Sequence, residues 1–547
     1  MPLKAAIERI IYSPFFITHP TMFKVLPAKA IALFILLSTF FLVSETIGQP
    51  FQIQESATFP VFNEGELKIM LLGNGNTAFV HRIDENFNYQ LYNSDRKVIV
   101  QQVFTPKSFD HRRGGIVSLF LVGSDIVLFY GVNERLVPVL YRIIIDSNSG
   151  KIVKEEEIGR SNKLKGTDLY ALSLGNAQPA GFYIRKDKNS DHYAVGLFNS
   201  FESDRNKRIE IRHYNGKHEV INQAFYLSPN NEFKYLELVD FIVMGGEKVI
   251  ACAYAFNTGD EKASSLFLAQ LQKGSSSIQA KQLDFTEDLH ITNGVLRRVP
   301  GTDLVALLSL AKLDSKRGKN IYGAFLSFLN AKTLALEYNK TIDIPGLRET
   351  YKNIFGPKSE YNGVPQNLYV NEDGTYTLVF EEISTVGTST VLGSTGICVL
   401  DKNAKEIYNY ITPKIHSLEG VAYRPMYIRE REERPQWAGW NEYKSFAYVN
   451  SANKKYIFFN DLVENLENLK KSKINNVYTI TDTDAFSFAL SDGKVDRQFL
   501  FGQPERKCHA YAMFAVSDYD PRSGTYVTLR VNNCKDKKMQ VIWMNLK

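Results

Sequence analysis

From residue 58 onwards, apolar residues recur at every second position in runs of five to nine, and polar turn residues separate the runs. Period two over such lengths is the mark of half-buried strands. Thr77–Ile83, Ile116–Val122, Val249–Ala255, Leu304–Leu310, Thr375–Phe380 and Tyr526–Val531 are clear cases. Helical periodicity is nearly absent; the one candidate is Asp461–Lys471, with Leu462, Leu466 and Leu469 on one face. The strands group by fours, most plainly in 366–411 (NLYVNED, GTYTLVFEEI, TGICVLD, KEIYNYI). Extending that unit outward gives repeats near 66–105, 115–158, 168–226, 233–285, 290–343, 365–412, 443–501 and 509–546. Four-stranded antiparallel units that cannot bury both faces alone stack into a ring, so the pattern predicts an all-β fold, a β-propeller of four-stranded antiparallel blades. Eight blades are counted and seven are possible if one unit is an insertion; a pair of β-sandwiches is the rival. The last unit shows three good strands, and Phe59–Phe62 is expected to supply the fourth and close the ring.

The first 48 residues read differently. Ala30–Val43 is a fourteen-residue apolar run preceded by Lys24 and Lys29. That is shorter than the roughly 20 residues a membrane-crossing helix needs, and it has the proportions of a signal-peptide core. Thr46-Ile47-Gly48 places the expected cleavage before Gln49, with an uncleaved signal anchor as the other reading. Initiation at Met22 would leave the same mature product. Residues 49–547 are then a single propeller domain in an extracytoplasmic space (periplasm, outer surface or medium), with no transmembrane helix.

Composition adds two points. The chain has 36 Phe and 29 Tyr against 3 Trp, which favours strands. Net charge is +6 over 547 residues; the leader carries four Lys/Arg and two Asp/Glu, so the remainder keeps about +4. No basic block with interleaved aromatics occurs, and nucleic acid is not an expected partner. The sequence lacks the Trp-Asp, kelch and sialidase-box signatures of familiar propellers. In spacing, and in phrases such as KKYIFFND (454–461) and NEDGTYTLVF (371–380), residues 58–547 resemble uncharacterised secreted β-propeller proteins of gram-negative bacteria. That resemblance implies a fold and an extracytoplasmic location and transfers no catalytic residue.

Candidate chemistry is sparse. No metalloprotease, phosphate-loop, nucleophile-elbow or Cys-x-x-Cys motif is present. The carboxylate runs Glu155–Glu157 and Glu381-Glu382 read as solvated strand faces. Asn215-Gly216 reads as a two-residue hairpin turn, which would pair His213 with His218 and offer a weak metal site. Asp518-x-Asp520 followed by Gly524 is part of a calcium loop but reads better as a hairpin turn. Cys508 and Cys534 stand symmetrically about Pro521 in the last hairpin and are expected to form a disulfide, while Cys252 and Cys398 lie in apolar strands as buried thiols. The least strand-like long stretch is 423–443 (YRPMYIREREERPQWAGWNEY). Its Tyr427, Arg429, Arg431, Arg434, Trp437 and Trp440, with Arg424, are the expected binding residues for a protein or glycan ligand, because flat rings give contact area at small entropic cost. The competing reading is that these aromatics plug the channel. The expectation is a non-enzymatic binding or scaffold propeller without cofactors; the alternative is a carbohydrate-active or other hydrolytic propeller.

Overall fold

The computed structural model describes residues 51–547 except 168–179, 229–231, 258–263, 284–289, 317–318, 424, 452–453 and 505–507. The expected signal peptide and Arg424 lie outside the described residues. The strands form eight antiparallel sheets, with the four strands of each blade in sequence order. Blades 1 to 8 span Glu66–Phe104, Gly114–Arg160, Gly181–Phe225, Tyr235–Leu283, His290–Thr341, Gly363–Thr412, Ala447–Phe499 and His509–Asn545. The first strands of neighbouring blades touch one another, so they are innermost. The protein is an eight-bladed β-propeller.

Packing shows that the ring closes. Eight apolar clusters fill eight blade-to-blade interfaces, from blades 1 and 2 around to blades 8 and 1. In the closing interface Leu67, Phe79 and Tyr92 of blade 1 meet Tyr511, Leu529 and Trp543 of blade 8. The Trp543 indole N–H donates to Thr77 Oγ1 at 2.8 Å, which satisfies its one polar atom in the core. Second strands, such as Thr77–Ile83, are almost wholly buried, whereas fourth strands, such as Val98–Phe104, are mostly exposed.

An N-terminal strand closes the ring as expected, but its residues are not Phe59–Phe62. Ile53–Glu55 pairs with Ile542–Met544 and gives blade 8 its outermost strand. Phe59 makes only a single bridge to Met539, and the Phe59 and Phe62 rings pack on Phe79 in the 8–1 interface. The physical reason is burial: an outermost strand is half-solvated, and two adjacent phenylalanines gain more between blades than along an edge. Two α-helices that lie wholly among the described residues interrupt the pattern. α1 (Pro345–Phe355) joins blades 5 and 6, and α2 (Asn465–Leu469) is a shorter form of the expected Asp461–Lys471.

Candidate functional site

Blade 6 ends at Thr412 and blade 7 begins at Ala447; the chain between them crosses the channel. Lys414 is fully buried and ion-pairs with Glu381 at 2.6 Å. His416–Leu418 adds a short strand to blade 6. A 3₁₀ turn, Tyr427–Glu432, follows, and then Gln436–Trp437 pairs with Leu67 and Glu66 on the innermost strand of blade 1. On the way the segment contacts every blade from 1 to 6. Lys68 of blade 1 donates to the Arg431 and Glu432 carbonyls, both at 3.1 Å. Leu119 N–H of blade 2 donates to the Glu433 carbonyl at 2.7 Å. Arg185 of blade 3 is paired with the Glu433 carboxylate. Arg429 is paired with Asp240 of blade 4 and donates to the Gly294 carbonyl of blade 5 at 3.0 Å. Asn367 of blade 6 donates to Glu432 at 3.3 Å.

Irregularities in the innermost strands supply part of this docking. Bulges place Val117 in blade 2 and Val239 in blade 4 outside the ladder register. Their carbonyls accept from Arg434 Nε at 3.1 Å and Arg429 Nη1 at 3.3 Å. A bulge leaves one residue unpaired, and here arginines of the crossing segment take the freed acceptors.

The segment divides the channel into two mouths. The first is a cavity of about 710 Å³ walled by the starting halves of the innermost strands and by the crossing segment; Tyr183, Tyr423, Arg431, Arg434, Trp437 and Glu442 define its character. The second, about 350 Å³, is walled by the finishing halves and is rich in Lys and Arg. Arg185, Arg429 and Glu433 border both.

Of the expected binding residues, five line the first mouth: Tyr427, Arg429, Arg431, Arg434 and Trp437. Tyr427 stacks on Tyr423 at 4.3 Å, lies under the Arg431 guanidinium at 5.0 Å, and donates its hydroxyl to Glu381 at 2.7 Å. Arg429 is structural, committed to Asp240 and two carbonyls. The Trp437 ring is 51% exposed, with the Arg82 guanidinium 5.6 Å away. Trp440 is equally exposed but sits apart, beside Lys537 at 4.8 Å and a small surface recess. The two indoles are therefore not channel plugs; backbone and charged side chains fill the middle of the ring instead.

Electrostatics differ on the two sides. Burial, opposed by Arg185 and reinforced by Glu432 and Asp240, pushes the Glu433 carboxyl up to about 7. Burial also acts on Glu432, but Lys188 and Arg297 outweigh it and hold that carboxyl well below the usual range. Asp240 is raised by burial despite Arg185 and Arg297.

The histidine pair is corrected. His213 pairs with Asn222 and Tyr214 with Val220. The turn runs from Asn215 to Glu219, with the Asn215 carboxamide accepting from Lys217 N–H at 2.9 Å and Glu219 N–H at 3.0 Å, and with His218 left-handed at φ 65°. Local side-chain capping by Asn215 outweighs the tighter Asn-Gly turn. His218 contacts Tyr193 and Asp125, each at 3.2 Å, whereas His213 is buried near His192. The two imidazoles share no metal site. Glu381 is not a solvated face either, being fully buried against Lys414. Asp518 accepts from Leu71 N–H at 2.7 Å and Asp520 caps its own turn, so this stretch is a hairpin. Among the described residues one trio, Glu85, Asp110 and His111, brings possible metal ligands within 4.8 Å of one another. Ion pairing accounts for it: His111 lies 2.6 Å from Glu85, and Asp110 2.5 Å from Arg113. Cys508 and Cys534 are joined, with Cα atoms 4.6 Å apart, and Cys252 and Cys398 are buried thiols.

Sequence reasoning missed Arg185, Asp240, Arg297, Glu381 and Lys414. Charged residues inside apolar strands, as in Glu237-Leu-Val-Asp240-Phe-Ile, were the available signal.

No family model and no curated protein matches the chain. Solved structures are similar to it at the level of fold. A structure described as the Dos1 propeller aligns at 8% identity and a TM-score of 0.40, over 90% of this chain and 94% of that one. The polysaccharide lyase Uly1 aligns at 8% and 0.38, over 79% and 90%. Prolyl oligopeptidase B from Galerina marginata aligns at 10% and 0.39, over 88% of this chain and 55% of that one.

Proposed function

We propose that this protein is an extracytoplasmic, non-enzymatic binding propeller that recognises a glycan chain at the first mouth. The observation that supports it most is the cavity of about 710 Å³ in which a half-exposed Trp437 stands with Tyr183, Tyr423, Arg431 and Arg434. That volume lies within the range of ligand sites, and flat rings interleaved with guanidinium and carboxylate groups suit a sugar's apolar faces and hydroxyls. A hydrolytic site needs two carboxylates with separate roles. Three face this cavity, but Glu66 is tied to Arg82 at 2.7 Å and Glu433 to Arg185. That leaves no pair to divide acid and nucleophile, and binding is the better reading. The leader of residues 1–48 supports the location, which N-terminal sequencing of exported protein beginning at Gln49 would test.

Glycan-array binding by the purified chain, compared with its Trp437→Ala variant, tests the function. Binding that is lost with Trp437→Ala and kept with Trp440→Ala is the expected result. Capture of peptides alone, or release of reducing ends from a bound glycan, would replace this reading.

A further inference from the structure

We propose that the second mouth, on the opposite side of the crossing segment, is a binding site for a compact multivalent anion carrying two or more phosphate or carboxylate groups. Blades 3 to 6 build it. Lys186 ends the innermost strand of blade 3 and Lys188 follows it, Arg297 and Arg298 end that of blade 5, and Arg185 and Arg429 form its floor. Four acidic residues face the same cavity: Asp187, Glu372, Glu432 and Glu433. Three of them are engaged. Asp187 accepts from Ser190 Oγ at 2.7 Å, Gly245 N–H at 2.9 Å and Asn189 N–H at 3.1 Å, and Glu433 is held by Arg185. Glu372 is the one further carboxylate among the lining residues.

Glu432 shows what the site accepts. Its carboxylate sits against Lys188 Nζ at 2.9 Å, Asn367 Nδ2 at 3.3 Å and Arg297 Nη2 at 3.4 Å. The chain's own anion thus occupies one part of the basic cavity, which Arg298 and Lys186 also line, Arg298 with Asp303 nearby. Lys186 donates to the Ser190 carbonyl at 2.9 Å and lies 3.7 Å from Asp191, which holds its ammonium at the rim. A ligand with two anionic groups would bridge the Lys188 corner and Arg298, since ammonium and guanidinium groups bind phosphate and carboxylate oxygens through charge-assisted hydrogen bonds. A cavity of about 350 Å³ sets the size to a small molecule rather than a polymer.

The test is calorimetric titration of the purified chain with inorganic pyrophosphate and, separately, with citrate at matched ionic strength, which tells phosphate from carboxylate ligands. Saturable one-to-one binding of one of them is expected. It should weaken at least tenfold in Lys188→Ala/Arg298→Ala, whose side chains are solvent-exposed, and stay unchanged in Trp437→Ala, which separates this site from the first mouth. Absence of saturation for both anions, or equal affinity in the double variant, would overturn the proposal. Glu432→Gln, which releases Lys188 and Arg297, should tighten binding; weaker binding in a folded Glu432→Gln variant would count against the stand-in role.

Discussion

His213 carries an imidazole in the core of blade 3, 1% exposed, and among the described residues neither ring nitrogen makes a well-formed hydrogen bond. Burial, with a small contribution from the neighbouring His192 and some relief from the Gly245 backbone and Asp187, lowers its pKa to about 4. The unfolded chain binds a proton near 6.5 that the folded chain refuses until about 4, so this residue's stability is present above 6.5 and is lost as pH falls through that window. The loss is on the order of 3 kcal/mol at pH 4. His213→Phe should flatten the urea midpoint between pH 6.5 and 4.5, and an unchanged slope would place the acid sensitivity elsewhere. At the same scale, replacing both Trp437 and Trp440 with Ala should shift stability by no more than about 1 kcal/mol, because half-exposed rings contribute little beyond a surface cation contact. A thermal melt decides it. The residue types at these positions were visible in the sequence, but their surroundings were not: nothing in the order of residues distinguishes buried His213 from His218, which reaches Asp125 and Tyr193.

Elements were the most legible level. All eight units predicted from period-two runs correspond to blades, because a strand buried between neighbouring blades must repeat its apolar positions to fill both faces. The turns repeat too. Asn93–Lys97, Asn215–Glu219 and Asp401–Lys405 each join the third and fourth strands of a blade through an Asn or Asp side chain that accepts from backbone N–H, with a left-handed fourth residue. The α1 helix was missed although its signal was present: Pro345 at the first turn, apolar Leu347, Tyr351 and Ile354 on one face, and Gly356 after the end. Eleven residues between strands are too few to dominate a β pattern. The last hairpin yields a test, since a cross-link closing a loop of 26 residues' separation stabilises by about 3–4 kcal/mol in the chain-entropy model. Cys508→Ala/Cys534→Ala should lower the midpoint accordingly under non-reducing conditions, and reductant should bring the parent chain to the same value. Four titratable thiols in the denatured, unreduced protein would contradict the bond.

The propeller is a ring whose channel is filled by its own chain. The crossing segment substitutes for a larger set of inward side chains, and its anchors are buried charges. Asp240 is 1% exposed, accepts from Phe241 N–H at 2.7 Å and Leu296 N–H at 2.8 Å, and holds both Arg429 and Arg185. Removing Arg429 leaves Asp240 with Arg185 as its ion-pair partner and strands the Val239 and Gly294 carbonyls, so Arg429→Ala should cost about 3 kcal/mol. It should also loosen Tyr427–Glu432 first, read as faster hydrogen exchange there than in the blades. Uniform exchange across blades 4 and 5 would instead make Arg429 a pillar of the blades themselves.

By itself, the sequence showed the four-stranded repeat, a count of eight units with seven still open, and the expected cysteine pairing of the last hairpin. Each depends on neighbours along the chain, whose spacing the backbone geometry converts directly into faces and turns. It also marked 423–443 as unlike everything around it, since that stretch carries no strand period. Only the tertiary structure decided that Ile53–Glu55 closes the ring, that the marked segment spans the channel, and that Arg185, Asp240, Arg297 and Glu432 meet there. Those contacts join residues far apart along the chain, 248 positions for Arg185 and Glu433 and many more where Ile53 meets Met544, and a charge inside an apolar strand names no partner until the blades are in place.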